Sequence, residues 1–201
     1  MVDYSWNRVK ERIYSRLHSS TYQNTEDLIR RPLAGDICQT WFIDVSDQLP
    51  DKHLCVPETM LDLWGISREQ FFEQTEQNDK TVRRVIKSIS QALDKNALMG
   101  YSAPGKPIDM FLITNESLKF GASAILSPEI QEELLFTWFG SDGFYLLPSS
   151  ISEWIAVAER DVDLSTMSFL VKDINSKKLS PKECLSDHIY TIQNSALSLV
   201  V

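Results

Sequence analysis

Apolar positions near the start of the chain recur at helical spacing. Trp6, Val9, Ile13 and Leu17 share one face, so residues 3–18 are expected to form an amphipathic helix capped by Asp3 or Ser5. The polar stretch 19–35, ending in Arg31-Pro32-Leu33-Ala34-Gly35, breaks that pattern and predicts a flexible connection, with the first helix packed loosely. From Asp36 the period becomes two. Ile37, Trp41, Ile43 and Val45 fall on one side of a strand, and Cys38, Thr40 and Phe42 on the other. Turn residues fill 46–52, and Leu54-Cys55-Val56 reads as the returning strand of a hairpin.

Pro57 opens a short helix over 57–64 that Gly65 stops. Ser67-Arg68-Glu69-Gln70 is a capping box, flanked by Ile66 and Phe71 as a hydrophobic staple. Val82, Val85, Ile86, Ile89 and Leu93 predict a further helix over 80–94. Residues 95–107, with Gly100, Pro104, Gly105 and Pro107, read as a loop.

The second half is more regular. Asp109–Thr114 is apolar enough for a central strand, while period alone leaves 121–126 open between strand and helix turn. Ser127-Pro128-Glu129 starts a helix whose buried face is Ile130, Leu134 and Trp138, with Gly140 as its stop. Residues 144–147 and 155–158 are strands around a Pro148-Ser149-Ser150 elbow. Asp163 or Ser165 caps a helix burying Leu164, Met167, Leu170, Val171 and Ile174, and Ser180 with Glu183 forms a second capping box. Residues 188–193 and 196–201, joined by Asn194-Ser195, suggest a terminal hairpin.

Strands and helices mix without steady βαβ alternation. The expected class is α+β: a single mixed, largely antiparallel sheet with helices packed on it, plus the N-terminal amphipathic helix. The expected division is 1–35 for that helix and its connection and 36–201 for the α+β domain, with a sub-boundary at 95–107.

Composition narrows the class. Apolar residues at 43% and charged residues at 24% suit a globular domain with a core. The net charge of −8 disfavours bulk nucleic-acid binding. Residues 1–31 nevertheless carry six Lys/Arg against four Asp/Glu, making Arg12 and Arg16 binding candidates along with Tyr101 and Lys106 of the loop. Three cysteines without paired spacing, no signal core in Met1–Trp6 and no apolar run of membrane length together predict a cytoplasmic protein with reduced thiols.

Candidate chemistry is sparse. Ser149 or Ser150 with Glu153 and His188 would supply nucleophile, acid and base for a hydrolase. There is no G-x-S-x-G elbow, however, and the serines suit a turn and cap equally. Cys38, His53 and Cys55 across the first hairpin make three soft ligands without a fourth, so no metal is expected. The segment Gly100–Pro107 lacks the order of a phosphate-binding loop, and no cofactor is expected.

Several blocks carry a family resemblance: Met110-Phe111-Leu112-Ile113-Thr114-Asn115, Gly121-Ala122-Ser123 with Leu126-Ser127-Pro128, Phe144 through Glu153, Val171–Asn175 and Leu185–Tyr190. Arg31-Pro32, Asp36-Ile37 and Trp64-Gly65-Ile66-Ser67 follow in order upstream. In these the chain resembles the DUF5688-type domain-of-unknown-function proteins of Firmicutes. The resemblance implies a shared fold and a bacterial or mobile-element origin, and no reaction. Its pattern carries a His where this chain has Ser152, so the resemblance implies that an activity depending on that His would be lost here.

The expected function is a non-catalytic binding or interaction module with a protein partner and no membrane. The alternative is the hydrolase-like enzyme of Ser149 or Ser150 with Glu153 and His188. A homodimer burying Trp6 is a further expectation.

Overall fold

The computed structural model describes residues 3–21, 27–49, 52–89 and 109–201. They fall into two compact units, Met1–Arg83 and Arg84–Val201, with the division between Arg83 and Arg84. The 95–107 loop, with Tyr101 and Lys106, lies outside the described residues.

The first unit opens with one helical turn, α1 (Trp6–Val9), and a 3₁₀ turn at Lys10–Arg12. The chain then extends as β1 (Ile13–Ser19). The expected helix over 3–18 is therefore wrong beyond its first turns. The reason is geometric: residues four apart share a face in a helix, but they also share one in a strand. Ile13 and Leu17 are fully buried on one side of β1, while Tyr14, Arg16 and His18 occupy the other.

Strands β2 (Arg30–Pro32), β3 (Ile37–Asp44) and β4 (His53–Cys55) complete this sheet. Central β3 pairs antiparallel with β1 along one side, from Ile13↔Ile43 to Ser19↔Ile37. Its other side takes β2 at residues 38–40 and β4 at residues 42–44. The connection expected to be loose thus holds a strand, and Ile29 is fully buried beside it. Helices α2 (Thr59–Trp64) and α3 (Arg68–Lys80) cover one face. The core there joins Ile13, Ile29, Trp41, Ile43, Val56 and Phe71, with Trp6 and Trp64 packed against it.

Local signals perform as read. Gly65 takes φ +66°, which closes α2, and both bonds of the Ser67–Gln70 capping box form. Asn78 adds a link absent from any motif: its side-chain amide donates to the carbonyls of Lys10 and Ile13, at 2.6 and 2.9 Å, pinning α3 to the entry of β1.

The second unit holds a separate six-stranded antiparallel sheet, so the single expected sheet is two. Its strands are β5 (Arg84–Ser88), β6 (Met110–Asn115), β7 (Phe144–Ser150), β8 (Glu153–Ala158), β9 (Tyr190–Gln193) and β10 (Ala196–Leu199). Their order is β10-β9-β7-β8-β6-β5. Where a helix over 80–94 was expected, Arg84–Ser88 is an edge strand paired to β6. The β-branched Val85 and Ile86 suit either state, and the neighbouring strand decides.

One face of this sheet is covered by a 3₁₀ helix at Gly121–Leu126, by α4 (Pro128–Glu133) and by a π-helical continuation at Leu134–Phe139. The π segment changes which side chain is buried. Counting on from Leu134 at α spacing leads to Trp138, which is 41% exposed, whereas one residue later Phe139 is buried against Phe144. Helix α5 (Leu164–Lys178) covers part of the other face, packing Val171 with Leu147, Val157 and Ile189. Leu170 and Ile174, expected in the core, remain exposed. Asn194 and Ser195 both take positive φ, as a two-residue turn between β9 and β10 requires. Among the described residues no helix is long and apolar enough to cross a membrane.

Candidate functional site

The face of the first sheet opposite α2 and α3 carries an unusual run of polar side chains, several of them buried. Directly paired residues point to the same side of a sheet with their Cβ atoms about 5 Å apart. The register therefore lays out rows across the strands. Arg16, Thr40 and Arg30 form one row. His18, Cys38 and Pro32 form the next. Tyr14, Phe42 and Cys55 form a third, with Asp44 and His53 beyond it.

Arg16 organises this face. It is only 5% exposed, and its side chain runs diagonally over the sheet toward β4. There Nη1 lies 2.8 Å from His53 Nε2, and Nη2 donates to Cys55 Sγ at 3.1 Å. Guanidinium nitrogens only donate, so His53 Nε2 is the acceptor. The His53 ring is in turn edge-on to Phe42.

The same crowding acts on His18. Burial first, then the charges of Arg16 and His53, lower its pKa to about 3, and the ring is neutral. Burial raises the Cys38 thiol, against the pull of nearby Arg30. The Thr40 hydroxyl is wholly buried without a hydrogen-bond partner. Arg30 is exposed on edge strand β2, with no ion pair among the described residues.

Of the sequence candidates, Arg16 and the His53–Cys55 pair come together here. Cys38 does not join them, because Cys55 pairs with Phe42, four residues or about 13 Å along β3 from Cys38. No group of three or more His, Cys, Asp and Glu placed to hold a metal occurs among the described residues. Arg12 lies outside the cluster, in an ion pair with Asp47 that lowers the Asp47 pKa. Reading from sequence alone passed over His18, Arg30 and Thr40. The signal for His18 is the period-two run Tyr14, Arg16, His18, which the helical spacing of Val9, Ile13 and Leu17 masks, whereas Arg30 and Thr40 join the face only through strand pairing.

The elbow belongs to the second unit. Residues 144–150 and 153–158 form a hairpin closed by Ile151-Ser152, with Ser150 paired to Glu153 and an irregularity between Pro148 and Ser150. The Ser149 hydroxyl donates to Glu153 Oε1 at 3.2 Å, and Ser150 Oγ accepts the Ser152 amide at 3.0 Å. The His188 backbone amide donates to Ser186 Oγ at 3.1 Å. Among the described residues no hydrogen bond joins either elbow serine to His188.

The turn itself is clamped. Thr114 donates to the Ser152 carbonyl at 2.8 Å, the Ile151 amide donates to Glu183, and Trp154 Nε1 donates to the Ala122 carbonyl at 2.8 Å. Gly121 sits against this junction, where a Cβ would stand 2.5 Å from the Ser152 carbonyl oxygen and 2.8 Å from the Asn115 nitrogen.

Residues 3–193 match the profile described as a family of unknown function (DUF5688), and the chain belongs to that family. No curated protein and no solved structure matches it.

Proposed function

We propose that this protein is a non-catalytic binding module whose working surface is the polar face of the first sheet. The observation that carries this reading is the use to which the elbow hydroxyls are put. Ser149 donates to Glu153 and Ser150 accepts the Ser152 amide, so both serve the hairpin turn. A nucleophilic serine needs a base in hydrogen-bond reach, and among the described residues no hydrogen bond joins His188 to either elbow serine. The other cluster of functional groups is built around Arg16, whose guanidinium holds its charge at every physiological pH and so binds rather than exchanges protons. A bacterial cytosolic setting and a protein partner remain part of this proposal. Three cysteines, none in a disulfide, agree with a reducing compartment.

The test is reaction of the purified full chain with a fluorophosphonate probe and with aryl ester substrates. The expected result is no labelling at Ser149 or Ser150 and no turnover above buffer. Labelling that disappears in Ser149→Ala or Ser150→Ala, and also in His188→Ala, would overturn the reading in favour of a hydrolase.

A further inference from the structure

We infer that the open edge of β10 pairs with β10 of a second copy of this chain, antiparallel about Ser198, and joins the two six-stranded sheets into one. This edge belongs to the second unit and is independent of the polar face of the first sheet. Three observations converge on it. β10 is the last strand of its sheet, bonded only to β9 among the described residues. Its backbone also has groups to offer on the open side. The Val200 amide donates to the Ile189 carbonyl at 2.8 Å, so in the alternation of an antiparallel ladder Ser198 and Ala196 turn their backbone groups toward β9, and Leu197 and Leu199 turn theirs away. No hydrogen bond takes up those outward groups among the described residues.

The third observation is the chemistry of the edge. Edge strands are ordinarily protected against pairing by charge or proline. At the opposite edge of this sheet β5 carries Arg84 and Lys87, whereas residues 194–201 hold no charged side chain and no proline. An uncharged strand meets its own copy without repulsion. The order Leu197-Ser198-Leu199 reads the same in both directions, so a two-fold axis at Ser198 sets each Leu197 opposite Leu199 of the second copy. In that register the two leucines exchange both of their outward backbone hydrogen bonds. Their side chains share one face, where Leu199 is 47% exposed and is covered by Leu197 of the second copy. A short strand-to-strand contact buries little area, so the dimer is a weak one that forms at high concentration.

The experiment is sedimentation equilibrium of the full chain over a concentration series reaching about 1 mM. The weight-average mass is expected to rise from 23.0 kDa toward twice that value. Leu199→Lys places a charge on the exposed edge and is expected to weaken the dimer at least about tenfold. Lys87→Glu, on the opposite edge, is expected to leave it unchanged. Cysteine variants read the register. Ser198→Cys faces its own counterpart across the axis and is expected to give a disulfide-linked dimer under mild oxidation, above the wild-type level. Ser195→Cys, about 20 Å from its counterpart in that register, is expected to give none above it. A wild-type mass fixed at 23.0 kDa across the series would overturn the pairing. So would a dimer that Leu199→Lys leaves at full strength, as one built on Trp6 would be, or equal crosslinking of the two cysteine variants. None of these results bears on the serine labelling test, so the two can fail separately.

Discussion

Arg16 of β1 spans the first sheet to reach His53 of β4, with Nη1 2.8 Å from Nε2. The contact crosses β3, which lies between the two strands, and it carries a charged group through a largely buried setting. Both ends of that bridge are residues whose local sequence has no distinguishing motif.

Replacing Arg16 by Ala removes the stem that covers the sheet and the donors to His53 and Cys55. The expected loss of stability is roughly 3 kcal/mol, from lost packing and from groups left buried without a partner. Urea unfolding with an unchanged m-value measures it. Arg16→Lys is expected to restore little, because an ammonium does not reproduce the two-pronged donation. A wild-type midpoint in Arg16→Ala would show that the bridge holds nothing.

His18 makes stability depend on pH. Its pKa falls from 6.5 to about 3 on folding, so the unfolded chain binds more protons between those values. Stability is therefore fully present above about pH 6.5 and declines as the pH falls toward 3, and the native state gains nothing from protonating the ring. By about pH 5, where most carboxylates are still ionised, the expected loss from this one group is about 2 kcal/mol. The check is the difference in urea midpoint between neutral and mildly acidic buffer, for the wild type and for His18→Leu. An equal pH dependence in the two proteins would assign the effect elsewhere.

Gly121→Ala is expected to destabilise the second unit by at least about 3 kcal/mol. The new methyl group meets the Thr114 hydroxyl, the Ser152 carbonyl and the Asn115 nitrogen, and two of those three are backbone atoms that a side-chain rotation cannot clear. Thr114→Ala in the same chain is expected to recover only a small part. Thermal unfolding monitored by tryptophan fluorescence reads the change, since Trp154 packs beside the same junction. Full recovery by Thr114→Ala would mean that the hydroxyl alone sets the fit.

Much of the fold was legible where the determining interactions are local. The Ser67–Gln70 box, the Gly65 stop, the Asp163 cap and the Asn194-Ser195 turn each bond within a few residues, and each formed as read. The β3 alternation was equally clear, because Ile37, Trp41 and Ile43 need one buried side whatever lies next to them. The candidate site was legible only in part. Arg16 stood out as a charge, and His53 with Cys55 as a pair, but nothing near residue 16 points to residue 53.

Sequence alone determined the α+β class, the caps and turns, the central strands and the family to which the chain belongs. Tertiary structure decided the rest. Whether Ile13–Ser19 and Arg84–Ser88 became helix or strand depended on β3 and β6, whose pairing residues lie up to 31 positions away in the chain. A spacing of four residues satisfies both states, so only a partner's backbone hydrogen bonds separate them. The same pairing placed Arg16 and Arg30 on either side of Thr40. That row exists because register is a long-range property, set between strands rather than along one.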